Sequence, residues 1–144
     1  MTIREATAVD VPALLALGER FHAEVYAGVI PWRADLWEQQ GRGLIEHPSG
    51  VILVSEDERG IAGMLGLLSI THPMTGEATI AELFWFVDAA IRGTVGLRLL
   101  RAGQRWATQQ QAVKMLMIAP NDTVSALYER LGYRLVERSY EVRL

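Results

Sequence analysis

Apolar and polar residues alternate at two different spacings along the first third of the chain. TIREA alternates at every second residue, as a short strand does, whereas VPALLALGERFHAEV repeats its apolar residues at helical spacing. Asp10 is predicted to cap this helix, and Pro12 fits its first turn. A second helix is predicted by ADLWEQQGRGLIE, which ends at the breaker sequence HPSG. The inward stripe of the first helix holds Leu14, Leu17, Phe21 and Val25.

The middle of the chain is predicted to form three consecutive antiparallel strands. VILVS and IAGMLGLLSIT are separated by the turn EDERG, and the loop HPMTGE leads into ATIAELFWFV. The last two of these strands are apolar with little alternation, which is typical of strands that helices cover on both faces. We therefore expect them in the middle of the sheet.

Two helices flank a short strand, VKMLMIA, in the last third of the chain. The first runs from Thr94 to Thr108. Its apolar stripe holds Val95, Leu99, Ala102 and Trp106. The opposite face holds Arg98, Arg101 and Arg105. The second, NDTVSALYERLG, is capped by Asn121 and ended by Gly132. Its inward positions are Val124, Leu127, Tyr128 and Leu131. The final YRLVERSYEVRL is predicted to be a closing strand.

Together these elements predict an α/β fold in the order β-α-α-β-β-β-α-β-α-β. Its central sheet is mixed and mostly antiparallel, with helices on both faces. A chain of 144 residues, half of them hydrophobic, suits one globular domain over residues 1–144. No linker, repeat or low-complexity segment divides it.

Charge and residue types exclude several classes of function. The formal net charge of -3 gives no basic surface for nucleic acid or membrane, so neither is an expected partner. The absence of cysteine excludes disulfides, thiolate nucleophiles and Cys-ligated zinc, and the three scattered histidines predict no metal site. The charged opening MTIREATAVD and the lack of a bilayer-length apolar run lead us to expect a cytoplasmic protein.

The turn IRGTVG joins the apolar run AELFWFVDAA to an amphipathic helix. The first amides of that helix have no intrahelical partner, so they favour an anion such as phosphate. Gly93 and Gly96 lack a Cβ, which predicts that a diphosphate approaches the backbone closely, and Arg92 is predicted to add a charged contact. An ordinary turn and helix start is the alternative. The nucleotide motifs GxxxxGK[ST] and GxGxxG are absent.

The segments AELFWFVDAAIRGTVGLRLLRA and MIAPNDTVSALYERLGY together resemble the acetyl-CoA-binding half of the GNAT N-acetyltransferase superfamily. The resemblance covers residues 78–133, and IREATAVDVPALLAL is similar to that family's first strand and helix. It implies an acetyl-CoA site in which backbone groups of Phe86 and Val87 pair with the pantetheine arm, the turn cradles the pyrophosphate and Asn121 hydrogen-bonds the pantetheine. The residues of that turn are Arg92, Gly93, Thr94, Val95, Gly96 and Leu97. With Gly96 in the last small position of the family pattern, Thr94 stands where the family has a glycine, so the turn is one residue short.

Glu82 and Tyr128 are the candidate catalytic residues. Glu82 is the only ionisable residue in ATIAELFWFV, so it must be paired, solvated or raised in pKa. Acyl transfer benefits from a base, because an alkylammonium with a pKa near ~10.4 loses its proton at a cost of about 4 kcal/mol at pH ~7.4. The resemblance implies that Glu82 is this base and that Tyr128 assists departure of the thiolate. The alternative for Glu82 is a buried carboxylate that pairs with an arginine or caps a loop, and the alternative for Tyr128 is a core aromatic. His72 is a second candidate base or a simple loop histidine.

Residues 26–50 match no element that the resemblance covers. The family builds its acceptor pocket in this region, so Tyr26, Trp32 and Trp37 are candidates to stack on a substrate or to anchor the core. About a dozen residues follow Gly132, too few for the two strands with which the family usually finishes. We therefore expect a second subunit to supply the missing wall, and hence a homodimer.

The resemblance implies an acetyl-CoA-dependent N-acetyltransferase that passes the acetyl group directly to an amine on a small molecule or peptide. No covalent enzyme intermediate is expected, since the chain has no cysteine. Two alternatives remain at this point. One is a non-catalytic acyl-CoA-binding or regulatory module, and the other is a nucleotide-binding regulator of unrelated fold.

Overall fold

A computed structural model describes all residues from 1 to 144 and contains five strands and four α-helices. In chain order these are β1 (Thr2–Glu5), α1 (Val11–Phe21), α2 (Ala34–Glu46), β2 (Gly50–Asp57), β3 (Gly60–Thr71), β4 (Ala78–Val87), α3 (Thr94–Gln109), β5 (Lys114–Leu116) and α4 (Asp122–Arg130). Short 3₁₀ turns at Ala8–Asp10 and Ala89–Ile91 precede α1 and α3. A π-helical turn, His22–Tyr26, extends α1.

The five strands form one sheet in the order β1-β2-β3-β4-β5. Strands β1 to β4 pair antiparallel with their neighbours, and β5 lies parallel to β4 after the crossover through α3. The predicted mixed, mostly antiparallel sheet is therefore confirmed. The two most apolar strands, β3 and β4, have neighbours on both sides, as their sequences predict.

Two hydrophobic cores lie on opposite faces of the sheet. On one face, α1 and α2 cover the sheet with a cluster that includes Leu14, Leu17, Phe21, Leu44, Ile52, Met64, Phe84 and Phe86. On the other face, α3 packs on a cluster that includes Leu53, Leu65, Leu67, Ile80, Val87, Leu99 and Trp106. The predicted apolar stripes of α1 and α3 face these cores. Complete burial of such a side chain contributes roughly 1.5 to 3 kcal/mol, so the two cores account for the position of the helices.

Asp10 stands at the predicted N-cap position of α1, but its carboxylate does not cap that helix. It accepts hydrogen bonds from the Thr7 backbone nitrogen at 2.7 Å and from the Arg4 guanidinium at 2.8 and 2.9 Å. The Arg4 guanidinium and the Thr7 amide lower the pKa of Asp10 to about 2. Asp10 is therefore the N-cap residue of α1 as predicted, but it makes no side-chain capping bond, because its buried carboxylate joins β1 to the turn before α1.

The closing strand predicted for YRLVERSYEVRL is absent, and residues 133–144 pair with no strand. Leu131, predicted to face inward, is 41% exposed. The exposed apolar side chains of the final segment are Leu135, Val136, Tyr140, Val142 and Leu144. An alternating pattern suits a strand only where a partner edge is available, and β5 offers an edge of three residues.

Two glycine substitutions test how α1 and α2 pack. A Cβ on Gly18 would lie 2.2 Å from the Trp37 indole nitrogen, whereas a Cβ on Gly41 would meet nothing within 4 Å. We expect Gly18→Ala to lower the free energy of unfolding by about 1 to 3 kcal/mol, because Trp37 must move. Gly41→Ala, the matched control, is expected to raise it by about 0.5 to 1 kcal/mol through helix propensity. Urea denaturation measures both, and equal effects of the two substitutions would contradict this packing.

Candidate active site at the fork between β4 and β5

Strands β4 and β5 pair over three residues and then separate. Thr79, Ile80 and Ala81 pair with Lys114, Met115 and Leu116, and β4 continues alone to Val87. The separation coincides with a β-bulge, since Leu67 of β3 pairs with Glu82 and the preceding Gly66 pairs with Phe84. Leu83 is the extra residue, and such a bulge bends the strand locally. We call the gap between the end of β4 and the chain that follows β5 the fork.

Glu82 lies at the base of the fork and is only 7% exposed. Its Oε2 accepts a hydrogen bond from the Ile118 backbone nitrogen at 2.6 Å, just beyond the last residue of β5. Burial raises the pKa of Glu82 to about 7, while the hydrogen bond from Ile118 acts in the opposite direction. No arginine or lysine pairs with this carboxylate, so the alternative of a structural ion pair is not what the structure shows.

Tyr128 of α4 also contacts Ile118. Its hydroxyl donates a hydrogen bond to the Ile118 carbonyl at 3.2 Å, and its ring stacks on Trp85 with centroids 5.8 Å apart. Burial and then the charge of Glu82 raise the pKa of Tyr128 above its ordinary value. The two candidate catalytic side chains therefore meet on the backbone of one residue, Ile118.

The free edge of β4 above the fork presents backbone groups of alternate residues. The Asp88 nitrogen donates to the Ala62 carbonyl on the β3 side at 2.8 Å. Because these directions alternate along a strand, the backbone of Phe86 also faces β3, while those of Val87 and Trp85 face the free edge. In the structure the backbone of Phe86 is thus directed at β3, and the backbone of Trp85 is directed at the free edge. This direction depends on the strand register, which the sequence does not specify.

The first turn of α3 begins at Gly93, whose φ of 111° is a conformation that favours glycine. Nothing lies within 4 Å of the position of a Cβ on Gly93, and Thr94 after it is exposed. Val95, Gly96 and Leu97 are half-buried. A Cβ on Gly96 would lie 3.3 Å from the Trp85 ring, so the absence of a side chain at Gly96 allows α3 to pack on β4.

The Trp85 indole nitrogen is a buried donor without a partner in the protein. The indole ring lies against Gly96 in the first turn of α3, with its Cζ2 and Cε2 atoms nearest to that glycine. A buried donor that makes no hydrogen bond is uncommon in folded proteins. This donor is enclosed where the Trp85 ring packs between β4 and α3.

Arg92 does not extend toward the first turn of α3. Its Nε donates to the Val87 carbonyl at 3.0 Å, and its guanidinium pairs with Glu24 and lies 5.6 Å from the centre of the Phe86 ring. The predicted phosphate contact of Arg92 is thus not made in this arrangement. Asn121 caps α4 by accepting from the Val124 nitrogen at 3.0 Å, which is the structural role predicted for it.

His72 lies in the turn between β3 and β4, away from Glu82. Its Nδ1 accepts from the Met74 nitrogen at 3.3 Å within the same turn. Glu82 is four residues along β4 from Ala78 at the start of the strand, which corresponds to ~13 Å. His72 is therefore a loop histidine, as its alternative interpretation states.

The aromatic residues of the 26–50 region have different surroundings. Trp37 donates its Nε1 hydrogen to the Leu14 carbonyl at 3.2 Å and packs on Phe84 at 5.1 Å, so it anchors the core. Trp32 lies beside Trp37 with ring centres 5.9 Å apart. Tyr26 is half-buried, and burial together with the charge of Glu82 raises its pKa. Of the three, Tyr26 is the one whose pKa responds to the charge of Glu82.

The raised pKa of Glu82 predicts a pH-dependent cost in stability. The pKa of about 7 in the folded protein lies above the ordinary glutamate value of 4.5. The neutral buried carboxyl therefore contributes its full stabilisation below pH 4.5, and this contribution is lost as the pH rises through 7. Glutamine is neutral throughout. Relative to the parent, Glu82→Gln is therefore expected to gain about 1 to 3 kcal/mol in free energy of unfolding between pH 5 and pH 8. Urea denaturation at several pH values measures this, and a difference that does not change with pH would contradict it.

None of the helices combines the length and apolar character needed to cross a bilayer. A search among curated protein sequences finds no match. Similar folds occur in solved structures, which are under 25% identical and so establish the fold alone. A mutant of the BH1408 protein from Bacillus halodurans is 22% identical, with a TM-score of 0.85 over 100% of this chain and 99% of that one.

Two further solved structures have the same fold. A predicted acetyltransferase with acetyl-CoA from Clostridium acetobutylicum is 15% identical, with a TM-score of 0.83 over 99% of this chain and 95% of the other. The aminoglycoside N-acetyltransferase AAC(6')-Iy in complex with CoA is 18% identical, with a TM-score of 0.81 over 99% and 93%. The model of the acetyltransferase (GNAT) family matches residues 16–133. The chain belongs to this family, and acetyl-CoA as cosubstrate is confirmed at the level of the family.

Proposed function

We propose that the chain is a cytoplasmic N-acetyltransferase that binds acetyl-CoA at the fork and passes its acetyl group directly to an amine. The observation that carries this proposal is the convergence of a buried carboxyl and a buried phenol on Ile118, where β4 and β5 separate. Family membership supports the reaction class. The acceptor is an amine on a small molecule or a peptide.

The residues around the fork suit the parts of acetyl-CoA. The pantetheine arm contains amide groups, which pair with a free strand edge as an added strand does, and Trp85 and Val87 offer such an edge. The first amides of α3 after Gly93 favour the diphosphate through their free N–H groups and the helix dipole.

Glu82 is the proposed general base. A carboxyl with a pKa of about 7 is half ionised near neutral pH, so it is a stronger base than an ordinary glutamate and is still available to accept a proton. The amine nitrogen loses its proton to Glu82, directly or through a water, as the bond to the acetyl carbon forms. A positioned base of this kind contributes roughly 10²- to 10⁴-fold to the rate.

Tyr128 is proposed to assist the leaving group. The departing thiol has a pKa near ~8.5, so about 1.5 to 2 kcal/mol is at stake when it leaves as a thiolate near neutrality. The pKa of Tyr128 is raised, so the phenol retains its proton and stabilises the thiolate by donating a hydrogen bond. The hydroxyl already donates to the Ile118 carbonyl beside the fork, and this contact holds it in place.

Glu82→Gln tests the assignment of the base. We expect kcat/KM to fall by roughly 10²- to 10⁴-fold and CoA affinity to change little, since the carboxylate acts on the amine. The measurement is thiol release from acetyl-CoA with a panel of amines, together with calorimetry of CoA binding. Tyr128→Phe is expected to have the smaller effect on kcat/KM, and the exposed Glu46→Gln is the control.

The outcomes separate the alternatives. Equal rates for Glu82→Gln and the parent from pH 6 to 9 would show that Glu82 is not the base. Binding of CoA without thiol release for any amine would favour the non-catalytic acyl-CoA-binding module. Protection against thermal unfolding by ATP or NAD, and none by CoA, would favour the nucleotide-binding regulator.

The proposal includes a homodimer, in which a second subunit supplies the missing wall by pairing through the final segment or an exposed strand edge. Strand β5 pairs only with β4, and the exposed Val113 and Ile118 flank it. The apolar side chains of residues 133–144 are exposed as well. An unpaired edge and an exposed apolar segment are each suited to β-strand addition. Such pairing would cover the fork beside Ile118.

Light scattering tests the dimer. We expect a mass of twice the 16.0 kDa of the chain, and a single-chain mass when residues 134–144 are deleted. Truncation removes the apolar segment and leaves α4 intact. A full-length chain that is strictly monomeric at working concentration would contradict this part of the proposal.

A further inference from the structure

Two ion pairs join the end of α1 to the loop that follows β4. The Arg20 Nε lies 3.0 Å from the Asp88 Oδ2, and Glu24 pairs with Arg92. On the helix side, Arg20 precedes Glu24 by four residues. On the loop side, Asp88 precedes Arg92 by four residues, so each cation faces an anion. The loop that leads to the first turn of α3 is thus held to α1 at two points.

Arg92 is the member of this arrangement that also touches the fork. Its Nε donates to the carbonyl of Val87, which lies on the free edge of β4 that acetyl-CoA uses in the proposed function. Arg92 also directly precedes Gly93, where the first turn of α3 begins. Arg92 is therefore adjacent in sequence to the proposed diphosphate site. Its guanidinium forms an ion pair with Glu24, and its Nε donates to the Val87 carbonyl.

A diphosphate is a stronger partner for this guanidinium than Glu24 is. Both side chains of the Glu24–Arg92 pair are close to half exposed, and exposed ion pairs are weak. A diphosphate carries more than one negative charge and accepts charge-assisted, bidentate hydrogen bonds from arginine. Pairing of the pantetheine arm with the β4 edge would also compete for the Val87 carbonyl.

We propose that acetyl-CoA and Glu24 compete for Arg92, so that Glu24 weakens binding of the cosubstrate and is released from Arg92 when the diphosphate binds. This inference rests on the proposed function. Glu24 lies in the π-helical turn His22–Tyr26, and its ion pair with Arg92 is the contact that the diphosphate would replace.

Calorimetry of CoA binding tests the competition. Glu24→Gln removes the competing carboxylate, so the Kd for CoA is expected to fall by about two- to fivefold, the range that corresponds to an exposed ion pair. In an Arg92→Gln background the same substitution is expected to leave the Kd unchanged, because no guanidinium remains to be released. Arg20→Gln breaks the neighbouring pair with Asp88 and is the matched control, with the Kd of the parent. Thermal unfolding checks that each variant is folded.

A Kd for CoA that is unchanged or higher in Glu24→Gln would overturn the competition. Absence of CoA binding by the parent chain would overturn the proposed function and this inference with it.

Discussion

The hydrogen bond from the Ile118 backbone to the Glu82 carboxylate is the contact on which the site depends. It lies just beyond the last paired residues of β4 and β5, where the Ile118 amide donates to the Glu82 side chain and not to the backbone of β4. The strands separate at this point, and burial of the carboxyl raises its pKa toward neutrality, while the hydrogen bond acts in the opposite direction. The contact thus fixes the position of the proposed base at the fork.

The surroundings of the fork follow from the packing of β4. The residues on its free edge turn their backbone toward the gap, and the side chain of Trp85 fills the space between β4, α3 and Tyr128. Gly96 permits that close packing of helix and strand. Glu82, Tyr128 and the first turn of α3 are consequently held by the two cores of the domain, and the Arg92 side chain links the fork to the π-helical turn after α1. The site is largely preformed, which favours catalysis by electrostatic preorganisation.

The periodicity of the sequence predicts most elements, including β4 and α2 with the boundaries that the structure shows. Glu82 was predicted because an acid within an apolar strand requires a special environment. The features that were missed depend on long-range geometry. The free backbone of Trp85 follows from strand register, and the pairing of Arg92 with Glu24 follows from the crossing of α1 over the end of β4. The final strand was predicted wrongly, because alternation along one segment says nothing about whether a partner edge exists.

We propose that the free edge of β4 above Glu82 receives acetyl-CoA, and amide hydrogen exchange followed by NMR detects such binding residue by residue. CoA is expected to slow exchange of the Trp85 and Val87 backbone amides and to shift the Trp85 indole N–H signal, while the Phe86 amide, already directed at β3, is unaffected. CoA binding that leaves the Trp85 and Val87 signals unchanged would show that the cosubstrate does not use this edge.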